Sequence, residues 1–179
     1  YMGIAGFILA IIYSLPPFKL CYRGLGEVTV GVVFGPLVLN GMYVVMAGQY
    51  ELLPILVSIP VGLLIANVLW INQFPDYEAD AMANKRNWVV RLGKENSVKV
   101  YAAIFILAYI FIGGIAIYTM NPIWLIGILT APKAVKAVKN CRQNFNNVPE
   151  LLKSNGATIQ IYVLNGILLG IAVIINGRF

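Results

Sequence analysis

Four apolar stretches constrain this chain more than any other feature. They cover residues 28–48, 52–74, 98–120 and 158–176, and each has about the 20 residues a helix needs to cross the hydrocarbon core of a bilayer. A backbone in lipid finds no water, so such segments must close their own hydrogen bonds as helices. Two shorter apolar runs, 2–13 and 122–138, accompany them, the second with Pro122 near its start. The expected fold class is all-α: a polytopic transmembrane helical bundle of about six helices, one membrane-embedded domain over residues 1–179 with no internal repeat.

Composition agrees. The chain is 60% hydrophobic and 11% charged, with a mean hydropathy of +0.81, whereas soluble domains carry about 25% charged residues. These proportions exclude a disordered chain, a coiled coil and a nucleic-acid-binding tail. Histidine is absent, which removes His triads, His metal sites and His general bases. The two cysteines, Cys21 and Cys141, form no CxxC pair and signal neither a disulfide framework nor a zinc site. The chain starts at Tyr1 inside an apolar run, with no secretory signal in view. It therefore reads as a piece of a longer chain.

The connections alternate in character. Residues 15–27, 75–97 and 139–156 form long polar loops, while 48–51 and Asn121 form tight turns. Twelve of the 13 Lys and Arg residues lie on or beside the three long loops, and Arg178 is the exception. The net charge of +6 is thus evidence of topology: the positive-inside rule places all three long loops in the cytoplasm of an integral protein of the cell inner or plasma membrane. Trp70, Trp88 and Trp124 fall near segment ends, where an interfacial aromatic belt is expected, although Trp70 could line a cavity instead. Lys133, Lys136, Lys139 and Arg142 read as a snorkelling basic flank on anionic lipid.

The chemistry-bearing segment is Asn72-Gln73-Phe74-Pro75-Asp76-Tyr77-Glu78-Ala79-Asp80, followed closely by Lys85 and Arg86. Spacing by four puts Asn72, Asp76 and Asp80 on one face if the helix runs through Pro75. Two carboxylates and an amide oxygen in a row suit Mg²⁺, above all when substrate phosphates complete its shell. Lys85 and Arg86 could hold the same phosphates from another side. Solvated loop charges at a helix end are the plain alternative for an isolated DxxxD. In the first loop, Gly24 and Gly26 read as turn residues, because no phosphate-binding GxxxxGK is present. Glu27 reads as an acid favoured by a helix start, with a cavity-facing role left open.

Beyond these patterns, the run INQFPDYEADAMANKRNWVVRLG resembles the second aspartate-rich motif of the UbiA superfamily of intramembrane prenyltransferases. YSLPPFKLCYRGLGEVTVGVVFGPLVLNG and NGATIQIYVLNGILLG are similar to segments of its 1,4-dihydroxy-2-naphthoate branch. The resemblance implies a bundle of about nine helices around a cavity open laterally to lipid, of which this chain would hold about the last six. It implies an enzyme: Mg²⁺-dependent transfer of a polyprenyl group from polyprenyl diphosphate to an aromatic acceptor, 1,4-dihydroxy-2-naphthoate, within menaquinone biosynthesis. Asp76 and Asp80 match the metal-binding, catalytic acids, Asn72 the leading amide, and Lys85 and Arg86 the basic residues after them. Tyr13, Lys19 and Arg23 match the loop that contacts diphosphate or acceptor, while Pro75 stands where many relatives carry Arg. The first aspartate-rich motif would lie before Tyr1, so this piece alone is expected to be inactive.

Two other readings stay open. The acceptor could be 4-hydroxybenzoate, homogentisate, a haem or a glycerol phosphate. Outside enzymes, the chain could be a transporter or structural membrane protein, for which broken helices and charges at the midplane are the usual signs.

Overall fold

A computed structural model describes residues 1–177. The order is α1 (Met2–Ser14), a 3₁₀ turn (Leu20–Tyr22), α2 (Gly26–Val32), a π-helical segment (Val33–Leu37), α3 (Val38–Ala47), α4 (Leu52–Asn72), α5 (Tyr77–Met82), α6 (Trp88–Thr119), a 3₁₀ stretch (Pro122–Thr130), α7 (Ala131–Asn144) and α8 (Val148–Asn176). Among the described residues there is no strand. Four helices are long and apolar enough to cross a membrane: Gly26–Ala47, Leu52–Asn72, Trp88–Thr119 and Val148–Asn176. They correspond to the four long apolar stretches.

The structure corrects several boundaries. Helix α6 begins at Trp88, ten residues before the apolar run at 98, with a kink at Gly93 (φ +76°, ψ 156°) between its first turns and the rest, and α8 begins at Val148 rather than at 158. The polar loops expected at 75–97 and 139–156 are therefore largely helical. Asn87 and Asn147 explain the early starts, because each side chain accepts a hydrogen bond from a first-turn amide, Val90 and Glu150 respectively. The fifth run also splits into a 3₁₀ stretch and the polar-faced helix α7. Pro36 removes one donor and widens the helix between α2 and α3 into a π segment.

Helix α4 lies at the centre and packs against α2, α6 and α8. Its approach to the α2–α3 segment is close because glycines face one another. A Cβ on Gly35 would sit 2.7 Å from Gly62 Cα, and one on Gly62 would sit 2.5 Å from the Gly31 carbonyl oxygen. On the opposite side, Asn67 Nδ2 donates to the Tyr101 carbonyl (3.1 Å), and Tyr101 Oη shares a 2.5 Å bond with Thr158 Oγ1. Asn165 on α8 donates to Gly127 O (2.8 Å) and Thr130 Oγ1 (3.0 Å). Lipid is as apolar as leucine, so small-residue contacts and bonds between helices set the packing that the hydrophobic effect cannot.

The tryptophan belt expected from sequence is not found. Trp124 is fully buried, Trp70 is buried with its indole N–H on the Ser97 carbonyl (3.0 Å), and only Trp88 is exposed. A buried indole N–H needs a partner; Trp70 has one and Trp124 Nε1 has none among the described residues. Arg178, the one cation assigned to the far side, lies outside the described residues.

Replacing Gly62 by Leu should lower stability by about 1–3 kcal/mol, the cost of overpacking a close contact. Gly113→Ala, where a Cβ meets nothing within 4 Å, should leave stability unchanged or raise it. Thermal unfolding of the two variants in one detergent checks this; equal midpoints would refute the glycine contact.

Candidate functional site

The polar end of the bundle is where three connections meet. The first loop joins the second through Arg86 N–H donating to the Tyr22 carbonyl (2.9 Å) and Arg91 Nη2 donating to the Arg23 carbonyl (2.7 Å). The first turns of α8 join the end of α4 through Asn155 Nδ2, which donates to Asn72 Oδ1 (2.9 Å). Gly24 lies at this junction with φ +77°, and a Cβ there would stand 3.4 Å from the Arg86 carbonyl. Its role as a turn residue is borne out.

Helix α4 ends at Asn72 and α5 starts at Tyr77, so Pro75 does break the helix rather than merely bend it. A proline ring removes a donor and clashes with the preceding turn. The single face expected for Asn72, Asp76 and Asp80 is thus divided. Asn72 terminates α4, while Asp76 stands just before α5 without a side-chain capping bond and Asp80 lies one turn further on, its N–H donating to the Asp76 carbonyl (2.7 Å).

The two acids occupy different settings. Asp76 is exposed. Asp80 is buried, and its carboxylate receives Lys85 Nζ (3.0 Å) and Asn87 Nδ2 (2.7 Å). A buried charge must be paired and hydrogen-bonded to persist, and both conditions are met. Lys94 extends the cluster with a 3.7 Å pair to the exposed Glu78 and a position 5.1 Å above the Tyr77 ring. Arg86 is exposed, and its backbone is held by Tyr22 and Arg91.

The remaining predicted residues lie in the first loop. Arg23 is exposed and donates from Nη2 to the Pro17 carbonyl (2.9 Å). Lys19 is exposed, with φ +45° and its ammonium 5.3 Å from the Tyr22 ring centre. Tyr13 is half-buried near the end of α1, with its ring against Gly26. No hydrogen bond or ion pair joins any of these three to Asp76 or Asp80 among the described residues.

Sequence reasoning missed Asn87 as a partner of Asp80, although its place before an apolar run is an N-cap signal. It also missed Gln73 and Asn155, which nothing in the local sequence marks. Gln73 Nε2 donates to Glu27 Oε1 (2.8 Å), and Trp88 N–H lies 3.4 Å from the same oxygen. Glu27 is 4% exposed, and its other oxygen has no partner among the described residues. Glu27 stands in the first turn of α2, where a helix start favours an acid, and it also lines, with Trp70 and Trp88, an apolar space of about 340 Å³ between α2, α4 and α6.

No cluster of three metal-binding acids, cysteines or histidines exists among the described residues. Two carboxylates one turn apart, one of them exposed, still fit Mg²⁺, because that ion commonly takes one or two carboxylates and completes its shell with phosphate and water. Cysteine chemistry is not in evidence. Cys141 is fully buried on α7, and burial pushes its thiol up to about 12.

Residues 1–149 match the model of the UbiA prenyltransferase family. The chain belongs to that family. It is 27% identical over 177 residues to the 1,4-dihydroxy-2-naphthoate octaprenyltransferase of Bacillus subtilis, covering 98% of this chain and 56% of the relative. It is 30% identical over 137 residues to UbiA prenyltransferase domain-containing protein 1 of Dictyostelium discoideum, covering 76% and 42%. Over 92 residues it is 39% identical to the 1,4-dihydroxy-2-naphthoate octaprenyltransferase of Haemophilus influenzae, covering 51% and 30%. The chain spans about half the length, or less, of these curated relatives. No solved structure matches it.

Asn87→Ala removes the Asp80 donor and the α6 cap together, and should cost about 1–3 kcal/mol; a thermal midpoint equal to that of the unsubstituted chain would dismiss the pairing. Cys141 should resist iodoacetamide at pH 8, where its raised pKa keeps it a neutral thiol, and react only after denaturation. Peptide mapping of the alkylated chain reads this directly.

Proposed function

We propose that this chain supplies the second aspartate-rich half of an intramembrane prenyltransferase. The full protein would transfer a polyprenyl group from polyprenyl diphosphate to 1,4-dihydroxy-2-naphthoate, as a step of menaquinone biosynthesis. The observation that carries the reading is the pair Asp76 and Asp80, one turn apart at the polar end of a family-member bundle, with Lys85 bonded to Asp80. The charged connections are assigned to the cytoplasmic side by the positive-inside rule.

Asp76 and Asp80 would hold Mg²⁺, which neutralises diphosphate charge so that the allylic C–O bond can break. Lys85 and Arg86 stand next in the chain to bind the remaining diphosphate oxygens. The Asn87 bond keeps the Asp80 carboxylate oriented, while Lys85 would exchange its bond to Asp80 for a phosphate oxygen when metal and substrate arrive. Lys19 and Arg23 lie in the loop that abuts this region through Tyr22 and Arg86 and can add positive charge there; Tyr13 closes the same loop from α1. Asn72, held by Asn155, orients its amide at the end of α4.

The apolar space beside Trp70 and Trp88 gives the isoprenoid chain a dry path away from the acids. Dryness also protects the developing allylic cation from capture by water. The electron-rich acceptor ring forms the new C–C bond with the prenyl carbon and loses its carboxylate as CO₂, while diphosphate departs. The relatives named as 1,4-dihydroxy-2-naphthoate octaprenyltransferases support this acceptor.

The test uses the full-length protein in membranes with Mg²⁺, labelled polyprenyl diphosphate and a panel of aromatic acceptors. Asp76→Asn and Asp80→Asn should each lower turnover by roughly a hundredfold or more, as loss of metal-assisted charge stabilisation requires. Unchanged turnover would overturn the acid assignment. Failure of the unsubstituted protein to prenylate any acceptor would overturn the enzyme reading.

A further inference from the structure

A second amphiphilic feature stands apart from the acids. A groove of about 380 Å³ lies between helices α6 and α7. Its walls include Phe105 and Tyr109 from α6 and Ala134 and Val138 from α7, and its lining ends in Lys139 and Arg142. Tyr109 is anchored at the deep end by a 2.9 Å bond between its hydroxyl and Thr130 Oγ1, just before α7 begins.

Its direction follows from the helices. Helix α7 runs from Ala131 toward the uncharged connection at 145–147, beside the start of α8, where Asn140 Nδ2 donates to the Glu150 carbonyl (2.9 Å), so the groove has its cationic end at the polar side of the bundle. Ala131 to Arg142 spans roughly 16 Å at 1.5 Å per residue, long enough to hold much of one acyl chain. An acyl chain lying in the groove would thus place its headgroup level with the two cations.

The charge at the mouth has no counter-charge in the protein. Among the described residues neither Lys139 nor Arg142 forms an ion pair; the acids that pair do so with Lys85, Lys94 and Lys153. Helix α7 itself carries no acid, and its Lys133 bonds to Gln160. An apolar slot ending in two unpaired cations matches an amphiphile with an anionic head.

We propose that this groove is a binding site for an anionic phospholipid of the leaflet that faces the charged connections. A singly charged phosphodiester needs only the two cations present. A prenyl diphosphate bound with a metal ion would need carboxylates, and none lines the groove. The proposal rests on membrane insertion and not on the prenyl-transfer reading. It sharpens the basic flank of α7 from general attraction to lipid into a defined site.

Native mass spectrometry of the full-length protein in detergent, with added phosphatidylglycerol or phosphatidylcholine, tests it. Phosphatidylglycerol should stay bound and phosphatidylcholine should not. Paired Lys139→Glu and Arg142→Glu substitutions should cut retention about tenfold or more, as expected for two cations near an anionic headgroup. Lys136→Glu makes the same kind of charge change outside the groove and should leave retention within about twofold. Val138→Trp fills the slot while keeping both cations, and should also release the lipid. Equal losses in the Lys136 variant, retention in the Val138 variant, or equal binding of both lipids would each overturn the site. Displacement of phosphatidylglycerol by metal-free farnesyl diphosphate at equimolar concentration would reassign the groove to the prenyl donor. Circular dichroism of each variant in lipid-free detergent should match the unsubstituted protein.

Discussion

The amide of Asn67, bonded to the backbone carbonyl of Tyr101, is the contact on which much of the architecture depends. It joins the central helix α4 to α6 at a depth where no water competes, and Tyr101 passes the connection to Thr158 on α8. The other flank of α4 has the close glycine contact with the α2–α3 segment. A helix held on both flanks in this way has its rotation set. That rotation carries Trp70 toward the cavity and brings Asn72 to Asn155 at the polar end. Each such bond is worth only about 0.6 kcal/mol on average in a membrane protein. Their effect on which faces meet is larger than their effect on stability.

At the polar end a different physics takes over. Charges there can meet water, yet Asp80 is withdrawn from it and held by Lys85 and Asn87. Asp76, one turn earlier, is left exposed. Two carboxylates of the same motif thus differ in environment because Pro75 ends α4 and lets α5 restart at its own angle. A continuous helix would have placed both acids on one stripe with Asn72. The break also frees Gln73 to bond Glu27, which links the first loop's end to the end of α4. Breaking the ladder has a cost, but polar side chains and water at a membrane boundary can satisfy the groups it releases.

Much of the fold was legible before any coordinates. Apolar runs of bilayer length marked the same four spans that the structure contains, because hydrophobic length is a local property of sequence. The limits of those helices were less legible. Helices α6 and α8 extend into polar segments, where Asn87 and Asn147 cap them and solvated faces replace lipid-facing ones. The buried positions of Trp70 and Trp124 were misread as an interfacial belt for a related reason. Nearness to a segment end says how deep a residue lies but not which way it points.

Sequence by itself determined that this chain is a membrane-embedded helical bundle, that its charges gather on alternate connections, and that Asp76 and Asp80 stand four residues apart beside Lys85 and Arg86. Those are consequences of composition and spacing, which act over a few turns of chain. Tertiary structure decided which acid is buried, that Asn87 is its second donor, that Asn155 from 83 residues away holds Asn72, and that Glu27 meets Gln73 beneath Trp88. None of these pairings has a local signature, because each depends on how whole helices rotate and approach, and that is set by glycine contacts and buried amides far from the site.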